Sequence, residues 1–413
     1  MFGMNPTTYK TLTLDSGLRI VTICHEQANV EYFGIVVGAG SAMETNEQHG
    51  LAHFVEHTLF KGTVKHSANY ILNRIETIGG ELNAFTNKEE TAIFTITPSG
   101  HLKRCMSLIA EIVTDSVFPE MEIAKERTVI EEEIDSYLDT PSEAIFDEMD
   151  EILFLGSSYA HNILGSKKSI KNFTSKDCRE WMKTWFTPSN SVIFYSGPLE
   201  IGNVAEIAEK EFSHYKGEVQ GECQLNIPAI MPSKKVIDLG HCHQCHATVA
   251  WRIPGYNDTL KYPLLLLNNM LAGPAMNSIL NLQLREKRGF VYTIDANPSL
   301  YRNGGALIIY FGCDKKDESK CLQIINREIN KLLTNGVTTR HLNQSKKQYL
   351  GQTAIALENR ENAIMNAARA LLSRNKIVEF SGFCEKINSI TPDVLNEALG
   401  LLNPQLESCL TIR

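Results

Sequence analysis

The sequence predicts an α+β protein built as two homologous domains, each a mainly antiparallel sheet flanked by helices. At 413 residues the chain is too long for one ordinary hydrophobic core. Runs that alternate in polarity and runs with a 3.6-residue period follow each other in the same order in both halves. Residues 217–233 between them are richer in Gly, Pro and polar side chains, which is typical of a linker. We therefore predict domains at residues 1–216 and 234–413, joined by a linker at 217–233.

The first half begins with an extended segment and continues with helices and further strands. A strand from Leu12 to Cys24 folds around a turn at residues 15–17, because Asp, Ser and Gly favour turns. An apolar strand from Phe33 to Val37 follows, then a short helix around residues 53–57. The periodicity next predicts, in order, a helix at Tyr70–Ile78, strands at Glu81–Thr86 and Thr91–Thr97, and a helix at His101–Asp115.

The second half repeats this order. The predicted elements are a strand at Ala247–Ile253, a helix at Leu260–Leu271, strands at Tyr292–Ala296 and Ala306–Cys313, and a helix at Lys320–Leu333. A repeated order of elements at this spacing indicates an internal duplication.

Composition and cysteine usage indicate the class of protein. Hydrophobic residues make up 43% and charged residues 21%, and no apolar run approaches the ~20 residues that cross a bilayer. Residues 1–6 lack the basic and apolar regions of a secretion signal. Ten cysteines without framework spacing suit a reducing compartment. We therefore expect a cytoplasmic protein with no membrane partner.

The charge distribution argues against nucleic acid and for a different class of partner. The net charge of −8 is opposite to that of a typical nucleic-acid-binding protein. Residues 120–151 hold 13 acids and two bases, so acidity is concentrated in this segment. A charge run is usually a solvated face, but beside a cleft it would also attract basic peptides.

The most informative motif of the chain is His53-Phe54-Val55-Glu56-His57. Residues four apart share a helix face, so His53 and His57 could bind one Zn²⁺ ion together. Glu56 could take a proton from a water at that metal, and H-x-x-E-H is the inverzincin signature. The alternative is a solvated helix that carries two His and one Glu by chance. Two imidazoles leave a catalytic zinc one protein ligand short, so a third donor is needed elsewhere.

A run of acids downstream, at residues 126–134, offers that donor. Here the chain resembles the superfamily of pitrilysin, insulysin and the mitochondrial processing peptidases, and in particular its short bacterial members. The resemblance implies that Glu133 is the third zinc ligand and that Glu126, two helical turns earlier, is a carboxylate that supports the site. For Glu126 alone, an ordinary solvated helix face is the alternative.

The second half lacks the metal motif but carries another family element. It contains no H-x-x-E-H, and residues 337–352, where an acidic helix should recur, hold no acid. The resemblance implies that Arg285 holds the substrate backbone and that Tyr292 donates to the tetrahedral oxyanion. The alternative is a basic helix end, a C-cap at Gly289 and the start of a strand.

The resemblance also implies a substrate-binding strand at residues 80–87. It places an edge strand beside the zinc, with Asn83 and Ala84 facing the peptide, and it adds Phe85 and Phe60 to the expected substrate-binding residues. An edge strand can recruit an extended peptide by backbone hydrogen bonds. An ordinary hairpin strand of the core sheet is the alternative, and both can hold at once.

Two further carboxylates are candidates for selectivity. Glu143 and Asp147 lie four apart on one helix face. In the processing peptidases the matching acids bind an Arg two residues before the cleaved bond. The alternative for Glu143 is a capping box, with Thr140 at the N-cap and Pro141 at the first helical position.

The stretch from His241 to His246 is dense in His and Cys and suggests a second metal site. In a strand, however, side chains alternate between faces, and no partner cluster supplies further ligands. We therefore expect no structural metal there.

Together these features predict a zinc-dependent endopeptidase that hydrolyses peptides or unfolded precursor segments in a closed chamber. The alternatives are a non-catalytic assembly subunit and a peptide-binding protein whose metal is structural. The chain is about half the length of the single-chain family members, which join two such two-domain units. The resemblance therefore implies a homodimer in which Tyr292 of one protomer faces the zinc of the other.

Overall fold

A computed structural model describes residues 8–221, 226–229, 231–240 and 242–413. Parts of the predicted linker (222–225 and 230) and His241 of the His/Cys stretch lie outside the described residues. The chain divides into two compact units that interleave in sequence. The first unit comprises Met1–Ile134, His161–Gln224 and Ile355–Phe380, and the second comprises Asp135–Ala160, Leu225–Ala354 and Ser381–Arg413. The division into domains at 1–216 and 234–413 stays a prediction. It assigns continuous stretches of sequence to each domain, whereas the compact units group residues that are close in space.

The first half of the chain alternates strands and helices, and as far as residue 115 their order is the one that the periodicity predicts. Its strands are β1 (Lys10–Thr13), β2 (Arg19–Cys24), β3 (Val30–Val37), β4 (Glu81–Thr86), β5 (Thr91–Pro98) and β6 (Ser191–Gly197). Its helices are α1 (Leu51–Thr58), α2 (Ala68–Glu76), α3 (Leu102–Asp115), α4 (Glu120–Leu138), α5 (Pro141–Leu153), α6 (Lys167–Ile170), α7 (Ser175–Trp185) and α8 (Ile201–Glu211).

The second half repeats this alternation. Its strands are β7 (Lys234–Ile237), β8 (Cys245–Ile253), β9 (Val291–Leu300), β10 (Gly305–Cys313) and β11 (Ser408–Ile412). Its helices are α9 (Lys261–Ala272), α10 (Glu318–Asn335), α11 (Thr339–Ala356), α12 (Arg360–Arg374), α13 (Phe380–Asn388) and α14 (Pro392–Gly400). A π-helical segment at Asn281–Glu286 precedes β9.

The two sheets share one topology, which confirms the predicted duplication and fold class. The first sheet has the strand order β1-β2-β6-β3-β5-β4, and the second has the order β7-β11-β8-β10-β9. In each sheet one pair is parallel, β2 with β6 and β7 with β11, and the remaining pairs are antiparallel. Apart from β1, each strand of the first sheet therefore has a counterpart at the same position in the second.

Alternating side chains give the first sheet two apolar faces. On β2 and β3, Ile20, Phe33 and Ile35 point to the core that includes α1 and α3. Their neighbours Val21 and Val36 point to the opposite core, which α12 completes. Burial on both faces explains why these strands contain continuous apolar runs and do not alternate in polarity.

Helices α5 and α12 occupy equivalent places in the two units but come from opposite halves of the sequence. Helix α5 packs on β8 and β11 of the second sheet, whereas α12 packs on β6, β2 and β3 of the first. This exchange makes the compact units discontinuous. Periodicity cannot reveal it, because an amphipathic helix shows which face it buries and not which sheet it covers.

Throughout the described ranges, every helix is too short or too polar to traverse a lipid bilayer.

Candidate metal centre

The first half of the site is built on α1, whose buried residues anchor it in the core of the first unit. Leu51, Phe54 and Val55 are fully buried, so the helix cannot rotate without exposing them. The helix begins after Gly50, which has φ +95° and lies against the backbone of Gly165. A side chain at position 50 would be strained and would collide with that backbone.

The predicted ligands converge from α1 and α4. His53 Nε2 lies 3.8 Å from Glu133 Oε1, and His57 Nε2 lies 3.3 Å from Glu133 Oε2. The two imidazole rings are 4.5 Å apart between centroids. Within the described ranges, His53, His57 and Glu133 are the one set of three or more His, Cys, Asp or Glu side chains whose ligand atoms all lie within 4.8 Å of one another.

The donor set fits a zinc ion. Two imidazoles and one carboxylate are a ligand set of catalytic zinc sites, which leave a further position open. Among the described residues, the buried Glu133 Oε2 finds no hydrogen-bond partner, although it faces His57, and the buried Nδ1 of His53 finds none either. Buried polar atoms are normally satisfied. A cation among the three side chains would supply the partner that Glu133 Oε2 lacks.

The protonation states of His53 and Glu133 suit metal binding. Burial, aided by the charge of His57, lowers the pKa of His53 to about 4, so this imidazole is neutral and its lone pair is available. The neighbouring His57 lowers the pKa of Glu133 below its ordinary value, which keeps this carboxylate ionised. Neutral imidazole and ionised carboxylate are the forms that bind metals.

Glu126 lies behind His57, on the side of Nδ1. It is 8% exposed, and its Oε2 is 3.4 Å from His57 Nδ1 while its Oε1 is 2.7 Å from Lys61 Nζ. It shares the buried face of α4 with Ile123, Ile130 and Ile134, so it is not on a solvated helix face. Sequence reasoning missed Lys61, although its position four residues after His57 could have indicated it.

Glu56 lies beside the ligands on α1 and contacts β4. Its Oε2 accepts a hydrogen bond of 3.3 Å from Thr86 Oγ1. Burial raises the pKa of Glu56, and the neighbouring His57 and the Thr86 hydroxyl oppose this effect. Thr86 was not among the predicted site residues. Its contact shows that the end of β4 lies next to Glu56.

Strand β4 is an edge strand, because in the part of the chain that the structure describes it pairs with β5 alone. Asn83, Ala84 and Phe85 are half-buried on it. Ala84 packs against the core that contains α1, whereas the Phe85 ring packs on the opposite face, 5.0 Å from the Arg369 guanidinium. Phe60 is also half-buried and packs against the core that contains α1. The side chains of Phe60 and Phe85 are thus engaged within the unit, and their predicted contact with substrate stays a prediction.

Arg285 and Tyr292 lie in the second unit. Both side chains are exposed, Tyr292 by 54%, and its hydroxyl donates a 2.7 Å hydrogen bond to Asp314 Oδ1. Gly289 has φ +61°, and its N–H donates to the Arg285 carbonyl. Gly289 is thus a left-handed residue that follows the end of the helical segment, whose C-cap is Lys287, and this turn uses the backbone and not the side chain of Arg285. Asp314 was missed, since it is distant from the motif in sequence.

Glu143 and Asp147 also belong to the second unit, on α5. Glu143 is exposed, and Asp147 accepts a hydrogen bond from the Tyr137 hydroxyl. The capping-box explanation of Glu143 is wrong. Thr140 precedes the helix as expected, but its Oγ1 donates back to the Ser136 carbonyl at 2.9 Å and caps nothing in α5.

The described part of the His/Cys stretch does not bring a second group of possible metal ligands together. Cys245 is buried in β8 opposite Cys313, and His246 Nδ1 lies 2.8 Å from the Tyr310 hydroxyl. His243 is exposed. These side chains diverge because neighbouring positions of a strand point to opposite faces.

Sequence comparison identifies the family of the chain. The sequence model of Insulinase (Peptidase family M16) matches residues 19–167, and that of the Peptidase M16 inactive domain matches residues 172–349. Together the two models span most of the chain. The first match contains the candidate ligands, and the second contains Arg285 and Tyr292.

Individual relatives agree. The uncharacterised zinc protease YmxG of Bacillus subtilis is 29% identical over 407 residues, covering 96% of this chain and 98% of that protein. A probable mitochondrial-processing peptidase subunit beta of Arabidopsis thaliana is 31% identical over 229 residues, covering 55% of this chain and 43% of that protein. Among solved structures, a protease from Helicobacter pylori has the same fold, with a TM-score of 0.89 at 19% identity over 99% of this chain and all of that one. The chain therefore belongs to the insulinase family of peptidases, family M16.

Proposed function

We propose that this protein is a zinc-dependent endopeptidase that hydrolyses peptides or unfolded precursor segments. The observation that carries the proposal is the convergence of His53, His57 and Glu133 within 4.8 Å, with Glu56 adjacent on the same helix. The naming of its full-length relatives as zinc proteases supports it.

His53, His57 and Glu133 would hold the zinc. When bound, zinc supplies Lewis acidity, which polarises a carbonyl group and makes a water more acidic. Glu56 would accept the proton of the attacking water and pass it to the leaving amine. The raised pKa of Glu56 suits both proton transfers, because a carboxyl group whose pKa is closer to the working pH both accepts and donates a proton more readily.

Glu126 and Lys61 would fix the tautomer of His57. A carboxylate beside Nδ1 holds the proton on that nitrogen and leaves Nε2 for the metal. Lys61 balances the charge of the buried Glu126 at 2.7 Å. These two residues would thus hold the His57 ring in the orientation that binding needs.

Strand β4 would bind the substrate backbone. No described strand pairs with its outer edge, and Thr86 links its end to Glu56. Backbone pairing with a peptide is independent of sequence, which suits a peptidase with varied substrates. Asn83 and Ala84 would lie along the bound peptide.

Residues of the second unit would complete the site and set its preference. Arg285 would hold the substrate backbone, and Tyr292 would donate its hydroxyl to the oxyanion. Glu143 and Asp147 would favour a basic residue near the cleaved bond, because carboxylates pair with Arg. We further propose that two copies of the chain form a closed chamber in which each supplies Arg285 and Tyr292 to the zinc of the other.

The proposed function is tested on the purified protein by zinc analysis and a degenerate peptide library. We expect about one zinc per chain and cleavage products by mass spectrometry. Removal of the metal with a chelator should abolish cleavage, and zinc should restore it. A zinc-containing protein that cleaves no peptide would instead support a binding or assembly role.

A further inference from the structure

Glu44 is a buried carboxylate at the beginning of the helix that carries His53, Glu56 and His57. Its side chain is fully buried. Its Oε2 accepts from the Gly50 N–H at 2.8 Å, and its Oε1 accepts from the Ala52 N–H at 2.7 Å. Gly50, at the N-cap of α1, has no side chain to cap the helix. Glu44 supplies that cap from six residues upstream, where no local sequence pattern indicates it.

The same carboxylate is tied to His161. His161 Nε2 lies 2.8 Å from Glu44 Oε2, and its ring stacks on that of His49 at 3.8 Å between centroids. Gly165, in the same loop as His161, lies against the backbone of Gly50. The beginning of α1 is therefore held by contacts to both the side chains and the backbone of this loop.

The network extends to the hairpin that joins β4 and β5. Lys88 in this hairpin is buried and donates a 2.5 Å hydrogen bond to the His161 carbonyl. The N–H groups of Ser41 and Ala42, just before Glu44, donate to the carbonyls of Asn87 and Lys88. Helix α1 and the hairpin that follows β4 are thus connected through the hydrogen bonds of Glu44, His161 and Lys88.

We propose that Glu44 is a positioning residue of the metal centre, which sets where α1 begins and so where His53 presents its imidazole. Ala52, whose N–H bonds to Glu44, immediately precedes His53, so a shift of the cap displaces the ligand directly. The inference rests on the proposed function, because it assumes that His53 binds zinc. It adds a residue that touches neither metal nor substrate.

Glu31 provides a matched control within the same unit. It is also buried, and its carboxylate accepts from the His101 N–H at 2.7 Å, at the beginning of α3, and from the Tyr195 hydroxyl at 3.1 Å. Glu31→Gln therefore changes a buried carboxylate at a helix N-terminus that carries none of the candidate ligands. A merely structural role of Glu44 would make the two variants behave alike.

The experiment compares Glu44→Gln with Glu31→Gln. Glutamine has one carbonyl oxygen and one NH₂ group in place of the two carboxylate oxygens. In Glu44→Gln the NH₂ group therefore faces the N–H of either Gly50 or Ala52, one hydrogen bond is lost, and the cap is weaker. Zinc affinity is measured by competition with a chromogenic chelator, and the ligand geometry is followed in the visible spectrum of the cobalt-substituted protein. Urea unfolding of the metal-free proteins reports stability separately. We expect about tenfold weaker zinc binding and an altered cobalt spectrum for Glu44→Gln, and neither change for Glu31→Gln.

His161→Phe is the second variant, for the case that Glu44→Gln does not fold. It keeps a ring against His49 and removes the ring nitrogen that lies 2.8 Å from Glu44 Oε2. Weakened zinc binding in this variant supports the inference. Unchanged zinc binding in the folded variants, or an equal loss in Glu31→Gln, overturns it. If the unsubstituted protein binds no zinc, the proposed function itself has failed, which is a distinct outcome.

Discussion

His57 Nδ1 lies 3.4 Å from Glu126 Oε2, on the side of the imidazole away from Glu133. Glu126 is in turn 2.7 Å from Lys61 Nζ. One imidazole is therefore held between two carboxylates of α4 that are two helical turns apart. Burial lowers the pKa of His57, but Glu133, Glu56 and Glu126 together outweigh it and raise this pKa above its usual value. The arrangement has the features of a metal ligand supported by a hydrogen-bonded carboxylate.

Replacement of Glu126 should weaken the metal centre without removing a ligand. We expect Glu126→Gln to bind zinc about ten- to a hundredfold more weakly, because His57 loses its charged partner. Chelator competition measures the affinity. Glu122→Gln, on the same helix and paired with Lys125 at 2.6 Å, is the control and should leave the affinity unchanged. Equal affinities for both variants would contradict the role of Glu126.

Replacement of Glu56 should separate metal binding from catalysis. We expect Glu56→Gln to keep its zinc and its fold while peptide hydrolysis falls by about 10²–10⁴-fold, because only the proton acceptor is lost. Zinc analysis and initial rates check this on the same sample. Glu132→Gln, an exposed change of the same chemistry, should have full activity. Substantial turnover by a Glu56→Gln preparation free of other peptidases would exclude Glu56 as the base.

Replacement of a ligand should release the metal. We expect His53→Ala and Glu133→Ala to lose zinc during dialysis, because two remaining protein ligands hold zinc far less tightly than three. Elemental analysis by mass spectrometry measures the metal content. The controls are His214→Ala and Glu132→Ala, both at exposed positions, and they should retain zinc. Full zinc occupancy in either ligand variant would rule out that residue.

The two acids of α5 should affect the choice of substrate. We expect Glu143→Gln combined with Asp147→Asn to lower kcat/KM for peptides with Arg near the cleaved bond more than for neutral peptides. The physical reason is the loss of charge-assisted pairing with the guanidinium. Asp147 also accepts from the Tyr137 hydroxyl, so unfolding curves must accompany the kinetics. Glu151→Gln, at an exposed position of the same helix, is the control. An equal loss on both peptide classes would assign these acids to structure alone.

The proposed sharing of the site between two chains predicts complementation between inactive variants. We expect Glu56→Gln and Tyr292→Phe to be inactive separately and to regain activity when their subunits exchange, because one site of the mixed dimer keeps both groups. Peptide turnover after mixing measures the effect, and tagged subunits establish the exchange. Two copies of the same variant mixed together are the control. Demonstrated exchange with no return of activity would place Tyr292 within its own chain's site or outside catalysis.

Local patterns in the sequence predicted several elements of the fold. The strand at Glu81–Thr86 has the predicted bounds, and the helix predicted at His101–Asp115 is observed at Leu102–Asp115. Such agreement is expected because side-chain periodicity reports directly which positions of an element are buried. The capping box at Thr140 failed because capping depends on rotamer and backbone angles, and the Thr140 hydroxyl instead bonds within the preceding helix.

The sequence by itself determined the ligand spacing on α1 and the repeated order of strands and helices. These follow from the 3.6-residue and two-residue periods of the chain. Only the tertiary structure decided that α5 packs on the second sheet and α12 on the first. It also decided that Lys61 pairs with Glu126 and that Glu44 caps α1. Each of these joins groups whose partnership no local period encodes. These contacts depend on which segments the folded chain brings together, because buried charges and buried N–H groups need hydrogen-bonding partners.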